Sequence, residues 1–111
     1  MKNNKEIHKG EVYIINNNRI NGHRSLIIDM DKTNVDAIIF THSSFTRRKK
    51  NHKLEENPDK NDFDINGRIR DSYILKLPQK ANKKDIGKQY PGFRVRNSID
   101  KSYIRHISKK K

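Results

Sequence analysis

The run Ile38-Ile39-Phe40-Thr41-His42-Ser43-Ser44 sets four adjacent polar groups at the end of an apolar strand, where rigid scaffolds commonly present functional groups. Thr41 and Ser43 offer hydroxyls to phosphate oxygens. His42 offers an imidazole, the side chain that trades a proton near physiological pH. Gly22-His23-Arg24 stands just before another apolar run. A barrel-like connectivity would bring Arg24 to the same end of the sheet, where a guanidinium stabilises phosphorane-like charge. Cleaving RNA without a metal needs a base for the 2′-hydroxyl, an acid for the 5′-oxygen and a cation for the phosphate. His23, Arg24, Thr41 and His42 can supply all three as candidate catalytic residues. The same side chains also fit plainer roles, with T-H-S-S as a turn whose hydroxyls cap backbone groups and Arg24 as a surface anchor of its strand.

A second set of residues points to binding. Arg47, Arg48, Lys49, Lys50 and Lys53, with Phe45 beside them, join charge to an aromatic face on which a base can stack. Arg68, Arg70, Arg94 and Arg96 fall in segments that alternate apolar with polar residues, which would place them on strands as rigid phosphate contacts. Tyr90 and Phe93 are suited either to stacking or to packing. The five histidines do not fall at metal-ligand spacings, and neither metal nor cofactor is expected.

The elements that must hold these groups are short. Residues 11–16 (EVYIIN), 24–30 (RSLIIDM) and 35–41 (VDAIIFT) are β-branched and aromatic runs separated by polar turns, and the last two predict a hairpin. Residues 44–67 lack apolar periodicity and predict a long loop serving as a binding or lid element, with room for a short strand near Lys53 and Leu54. Residues 68–77 alternate up to Pro78 and predict a fourth strand; 93–97 (FRVRN) predict a fifth. Between them, Asn82 as N-cap and Gly87 as stop allow one helical turn. Asp100 as N-cap, followed by Tyr103, Ile104 and Ile107, predicts an amphipathic C-terminal helix over 100–107. The expected fold is mainly β: a small SH3-like bent sheet or barrel of about five strands with a long basic loop and a short C-terminal helix. The expected organisation is a flexible N-terminus (1–8), one domain (9–107) and a basic tail (108–111).

Composition bounds the function. The chain has 111 residues with 31% hydrophobic, enough for one thin core and poor material for a deep small-molecule pocket. Lys and Arg number 26 against 13 Asp and Glu, a formal net charge of +13. The excess is regional: residues 1–44 hold six basic and five acidic side chains, residues 45–111 twenty and eight. Such an excess reads as a phosphate-binding footprint or as a solvated surface. There is no cysteine, which excludes disulfides, thiolate metal sites and cysteine nucleophiles and fits a reducing compartment. The start, MKNNKEIHKGE, has no apolar run behind its charges, and a cytoplasmic protein without membrane contact is expected.

The order of these features resembles that of the MazF/PemK/Kid family of toxins. Lys9-Gly10-Glu11-Val12-Tyr13 is similar to the family's opening R-G-(D/E)-hydrophobic strand. Gly22-His23-Arg24 ahead of Leu26-Ile27-Ile28 is similar to its G-R-R-P-hydrophobic segment, and Ile38 to Ser43 to its hydrophobic-T-S strand end. Asp100-Lys101-Ser102-Tyr103-Ile104 resembles the late D-K-x-hydrophobic start of a terminal helix. The matches cover about a third of the chain, which departs from the pattern at Ser25, where the family has Pro, and at His42, which interrupts the Thr-Ser pair. The resemblance implies an SH3-like barrel, RNA cleavage as a dimer, and roles in cleavage for Arg24 and Thr41.

Three functions stay open on these grounds. One is a metal-independent, toxin-type endoribonuclease, in which Arg24 steadies the phosphate, Thr41 orients it and His42 or His23 carries the proton; an acidic antitoxin-like partner and a homodimer would accompany it. Another is a non-catalytic DNA- or RNA-binding accessory protein of a plasmid or phage that uses the 47–53 loop. The third is an inhibitor or adaptor whose basic face docks an acidic protein.

Overall fold

The three apolar runs near the start of the chain form the centre of the sheet. The computed structural model describes residues 6–109. Strands β1 (Val12–Asn16), β2 (Asn21–Met30) and β3 (Asn34–Thr41) make two consecutive antiparallel hairpins. Each turn is built by one side-chain carboxyl or amide. Asn17 Oδ1 accepts from the Arg19 and Ile20 amides, and Asp31 Oδ1 from those of Thr33 and Asn34. The local side-chain bonds of Asn and Asp favour such turns. The bonds from Asn34 and Thr33 also hold the Asp31 carboxyl below its ordinary range.

The rest of the chain adds β4 (Phe45–Thr46), β5 (Lys49–Lys50), β6 (His52–Lys53), β7 (Tyr73–Ile74), β8 (Gln79–Asn82) and β9 (Ile86–Gln89), followed by helix α1 (Ser98–Ser108). β9 pairs with the free edge of β1. The outer edge of β3 is shared in succession by β8, along Asn34–Ala37, and by β7, along Phe40–Thr41, with β6 on β7. The result is a seven-stranded antiparallel sheet; β4 and β5 form a separate hairpin. The expected mainly β, bent sheet with a C-terminal helix is the observed fold, with more and shorter strands than five. The sheet path ends at β6 and β9, which do not pair with each other, so the barrel does not close.

Strand alternation divides the core in two. Tyr13, Ile15, Ile27, Val35, Ala37 and Ile39 point to one side and pack with Ala81 and Ile86. Val12, Ile38 and Phe40 point to the other and pack with Leu54, Ile74, Phe93 and the helix residues Ile104 and Ile107. Phe40 and Phe93 meet edge to face at 4.8 Å between centroids, a favoured aromatic geometry. α1 therefore covers only the second side of the sheet.

Several expectations are corrected. Of residues 68–77 only Tyr73–Ile74 join the sheet; Ile69 instead bridges to Phe63, and the Arg70 amide donates to Asp62 O. Residues 93–97 form no strand: Phe93 is buried in the second cluster and Val95 packs half-buried against it, without a ladder partner. Arg68, Arg70, Arg94 and Arg96 consequently stand in irregular, exposed segments. Asn82 does cap a single turn at Lys83–Asp85, but Gly87 lies inside β9, where a Cβ would come 3.3 Å from the Ile14 carbonyl oxygen. The helix starts at Ser98 under Asn97, whose Oδ1 accepts from the Ile99 and Asp100 amides. Asp100 is buried inside the helix and accepts the amides of Glu55 and Glu56. The 44–67 segment is therefore no free loop: it holds three short strands and is strapped to α1.

At the ends, Ile7 packs on the first cluster and the His8 amide donates to Tyr13 Oη, so this part of the expected flexible N-terminus is anchored. Of the expected 108–111 tail, Ser108 ends the helix and Lys109 caps it. Residues 1–5 and 110–111 lie outside the described residues.

Candidate nucleic-acid interface

Neighbouring residues on a strand face opposite ways, and this separates the four catalytic candidates into two pairs. His23 and Thr41 open on the first side of the sheet, in a cleft of about 290 Å³. Arg24 and His42 lie on the second side, under Phe93 and the 54–62 segment.

The cleft is assembled from three parts of the chain. The β1–β2 turn supplies Arg19 and Ile20, and the start of β2 supplies His23; β3 supplies Ile39 and Thr41; the β4–β5 hairpin supplies Thr46, Arg47, Lys49 and Lys50. Asn51 and the stretch from Leu75 to Leu77 close it, with Gln79. The hairpin turns on Arg47 and Arg48, both at positive φ (51° and 69°). A two-residue hairpin with both central residues left-handed is the type I′ turn, which ordinarily takes Asn-Gly. Arginine there costs about 1 kcal/mol or more per residue. Asn51, 5% exposed, braces the hairpin by donating to Ser43 O at 3.0 Å and to Thr46 Oγ1 at 2.8 Å. The T-H-S-S hydroxyls serve the local backbone: Thr41 Oγ1 accepts from the Ser43 amide, and Ser43 Oγ donates to Phe45 O. Arg19, Arg47, Lys49, Lys50 and Lys76 line this cleft, and among the described residues no carboxylate does.

Around Arg24 and His42, on the second side, the cations are matched. Arg24, 19% exposed, places Nη1 3.5 Å from Asp59 Oδ2 and its Cζ 4.9 Å from the Phe93 centroid. His42 Nε2 is 2.6 Å from Asp62 Oδ2 and 3.4 Å from Arg24 Nη2. One nitrogen cannot donate to the carboxylate and accept from the guanidinium at once. The shorter contact fixes Nε2–H toward Asp62, which leaves Arg24 beside the ring without a hydrogen bond to it. Asn57 Nδ2 also donates to Asp62, and Arg70 Nη1 lies 3.9 Å away. Burial raises the Asp62 pKa most, but the His42 and Asn57 hydrogen bonds and the nearby charges of His42 and Arg24 together hold it below the ordinary value. Two guanidinium groups thus face two carboxylates, and the region has little charge left for a phosphate.

The remaining candidates disperse. Arg48 is exposed at the hairpin tip, outside the cleft lining; Phe45, 56% exposed, is also outside it. Lys53 pairs with Asp71 at 3.7 Å. Arg94 borders a second groove, of about 510 Å³, that contains Glu11, Lys101 and Arg105. Arg19, Lys76 and Asn51 in the cleft, and Asp59 and Asp62 in the matched cluster, went unmarked in the sequence. Arg19 and Lys76 are isolated cations there, and nothing in the 44–67 composition shows which acids turn back to Arg24 and His42.

Among the described residues no group of three His, Cys, Asp or Glu side chains is placed to hold a metal ion, and no helix is long and apolar enough to cross a membrane. Comparison with protein-family models, curated proteins and solved structures finds no match to this chain.

Proposed function

We infer that the protein binds nucleic acid and that the cleft between the β1–β2 turn and the β4–β5 hairpin is the seat of the phosphate backbone. The observation that carries this reading is the set of five cations lining one cleft, with no carboxylate among the described residues there. Like charges held together raise the local potential for a polyanion, and each phosphate they neutralise releases counterions. Titrating a labelled oligonucleotide at several salt concentrations tests it. Log affinity should fall linearly with log salt, and the fall should become shallower when Lys49 and Lys50 are replaced by Ala. A salt-independent affinity, or an unchanged slope in K49A/K50A, would remove the cleft from the account.

Metal-independent cleavage of RNA, as in the toxin family the sequence resembles, is a second reading. It is favoured by one observation: His23 and Thr41 open on the same cleft as the cations. In this reading His23 carries the proton, Thr41 orients the phosphate and Lys49 or Lys50 replaces Arg24 as the charge that steadies it. End-labelled single-stranded RNA with and without EDTA tests it beside His23→Ala and Arg24→Ala. EDTA-resistant cleavage lost in His23→Ala supports the reading. Cleavage lost only in Arg24→Ala returns the chemistry to the matched cluster, and intact RNA throughout leaves binding alone.

A further inference from the structure

The cleft is not lined by charge alone. Ile20 and Ile39 form a buried apolar floor, and Leu75 and Leu77 continue it to the rim, where Leu77 is 53% exposed. A duplex shows a protein its phosphates and groove edges and keeps the faces of its bases stacked inside. Apolar surface among the phosphate-binding cations therefore has no partner on a duplex, whereas an unstacked base of a single strand can lie on it. At about 290 Å³ the cleft is at the small end of ligand sites, room for one nucleotide unit and not for a run of them.

Asn51 adds a polar preference. Both of its amide hydrogens are spent, one on Ser43 O and one on Thr46 Oγ1. Flipping the amide would set Oδ1 against the Ser43 carbonyl, so the hydrogen-bond network fixes its orientation. Among the described residues no buried side-chain oxygen or nitrogen lacks a partner. Oδ1 accepts no hydrogen bond from the described residues and is therefore not fully enclosed. Asn51, 5% exposed, is itself one of the residues that line the cleft. A fixed acceptor there favours a ligand that presents a donor, as the exocyclic amino groups of adenine and cytosine do.

Resting on the nucleic-acid reading of this cleft, we propose that it seats one unpaired nucleotide of a single strand. The phosphate lies on Arg47, Lys49 and Lys50, the base lies on the floor from Ile20 to Leu77, and Asn51 Oδ1 accepts from an amino group of that base. The test is fluorescence anisotropy on the whole protein with labelled oligo(A) and oligo(C). Competitors are a duplex of equal phosphate content, AMP and CMP, and oligomers with purine in place of adenine or 2-pyrimidinone in place of cytosine. The single strand should bind about tenfold or more tighter than the duplex. Whichever oligomer binds tighter should lose about five- to tenfold on loss of its amino group, the scale of one hydrogen bond. That loss should vanish in Asn51→Ala, while Lys50→Ala weakens both members of the pair alike. If Asn51→Ala fails to fold, the analogue pair on the unaltered protein still decides. Equal binding of duplex and single strand, equal binding of the analogue, or a mononucleotide competing as well as the strand overturns this proposal and leaves the cleft as a phosphate site. Absence of binding to every nucleic acid overturns the functional reading itself.

Discussion

Arg24 and Arg47 come from the same basic excess, yet the fold puts them to opposite uses. Arg24 is mostly buried between Phe93 and Asp59, beside the ring of His42, and its charge is answered within the protein. Arg47 sits in a left-handed turn on an exposed hairpin and borders a cleft to which none of the described residues brings a carboxylate. The first arrangement resembles a structural fastener that locks the 54–62 segment onto the sheet. The second holds cations together against their own repulsion and against backbone strain, and the proposed phosphate seat rests on that arrangement. A count of lysines and arginines cannot tell these uses apart; where the carboxylates lie can.

The strongest break in this comparison is charge reversal in the cleft. The K49E/K50E protein should lose about a hundredfold or more in affinity at moderate salt, measured by anisotropy, while R94A/R96A stays within about threefold. Equal losses in both would mean that the whole basic surface acts diffusely. Removing the fastener should do the reverse. Arg24→Ala leaves Asp59 unpaired and Phe93 without its cation, and should cost about 1–3 kcal/mol of stability in urea with affinity within about twofold. Large loss of affinity with unchanged stability would make Arg24 a ligand-binding residue.

A finer separation comes from the hairpin. Replacing Arg47-Arg48 by Asn-Gly suits the left-handed positions and should stabilise the protein by about 1–2 kcal/mol while lowering affinity. A gain in both would show that the arginines serve no binding role. The smallest effects are those of pH. The Asp62 carboxyl titrates below its unfolded value of 3.8, so the unfolded chain takes up its proton first. Its stabilising share is complete well above pH 3.8 and is lost as pH falls through the folded pKa. Asp62→Asn should flatten that acid limb. His52 is stacked on Tyr103 at 3.7 Å between centroids. Its pKa is lowered chiefly by burial and also by Lys76, against the opposing pull of Asp100 and Glu55. Its share is present above the reference value of 6.5 and declines below it, so thermal scans should show a small loss between neutral and mildly acidic pH that His52→Phe lacks.

The central sheet was legible because Val12–Asn16, Asn21–Met30 and Asn34–Thr41 are β-branched and aromatic runs set off by polar turns, and they bury side chains on both faces of the sheet. Alternation misled at 93–97, where Phe93 is buried and Val95 half-buried by contact with the helix side and no strand lies alongside. The cap of α1 could be read at either Asn97 or Asp100, since both residue types cap helices. Tertiary structure resolves it by using Asp100 for the amides of Glu55 and Glu56. The site was half legible. Arg24 and His42 do meet, but His23 and Thr41, each next to one of them in the chain, necessarily face the other way. Asp59 and Asp62 reach them from 20 to 35 positions along the chain, in a segment without periodicity, and only the fold reveals that pairing.

The most direct test of the cleft against the fastener is a titration of ¹⁵N-labelled protein with a short single-stranded oligonucleotide, following backbone amides by NMR. The account predicts that the largest shifts fall on residues 19–23, 46–51 and 75–79, while Arg24, His42 and residues 57–62 move little. Shifts concentrated on residues 57–62 with Arg24 and Arg70 would contradict it, because they would mean that nucleic acid displaces Asp59 and Asp62 and that the matched cluster is the true seat.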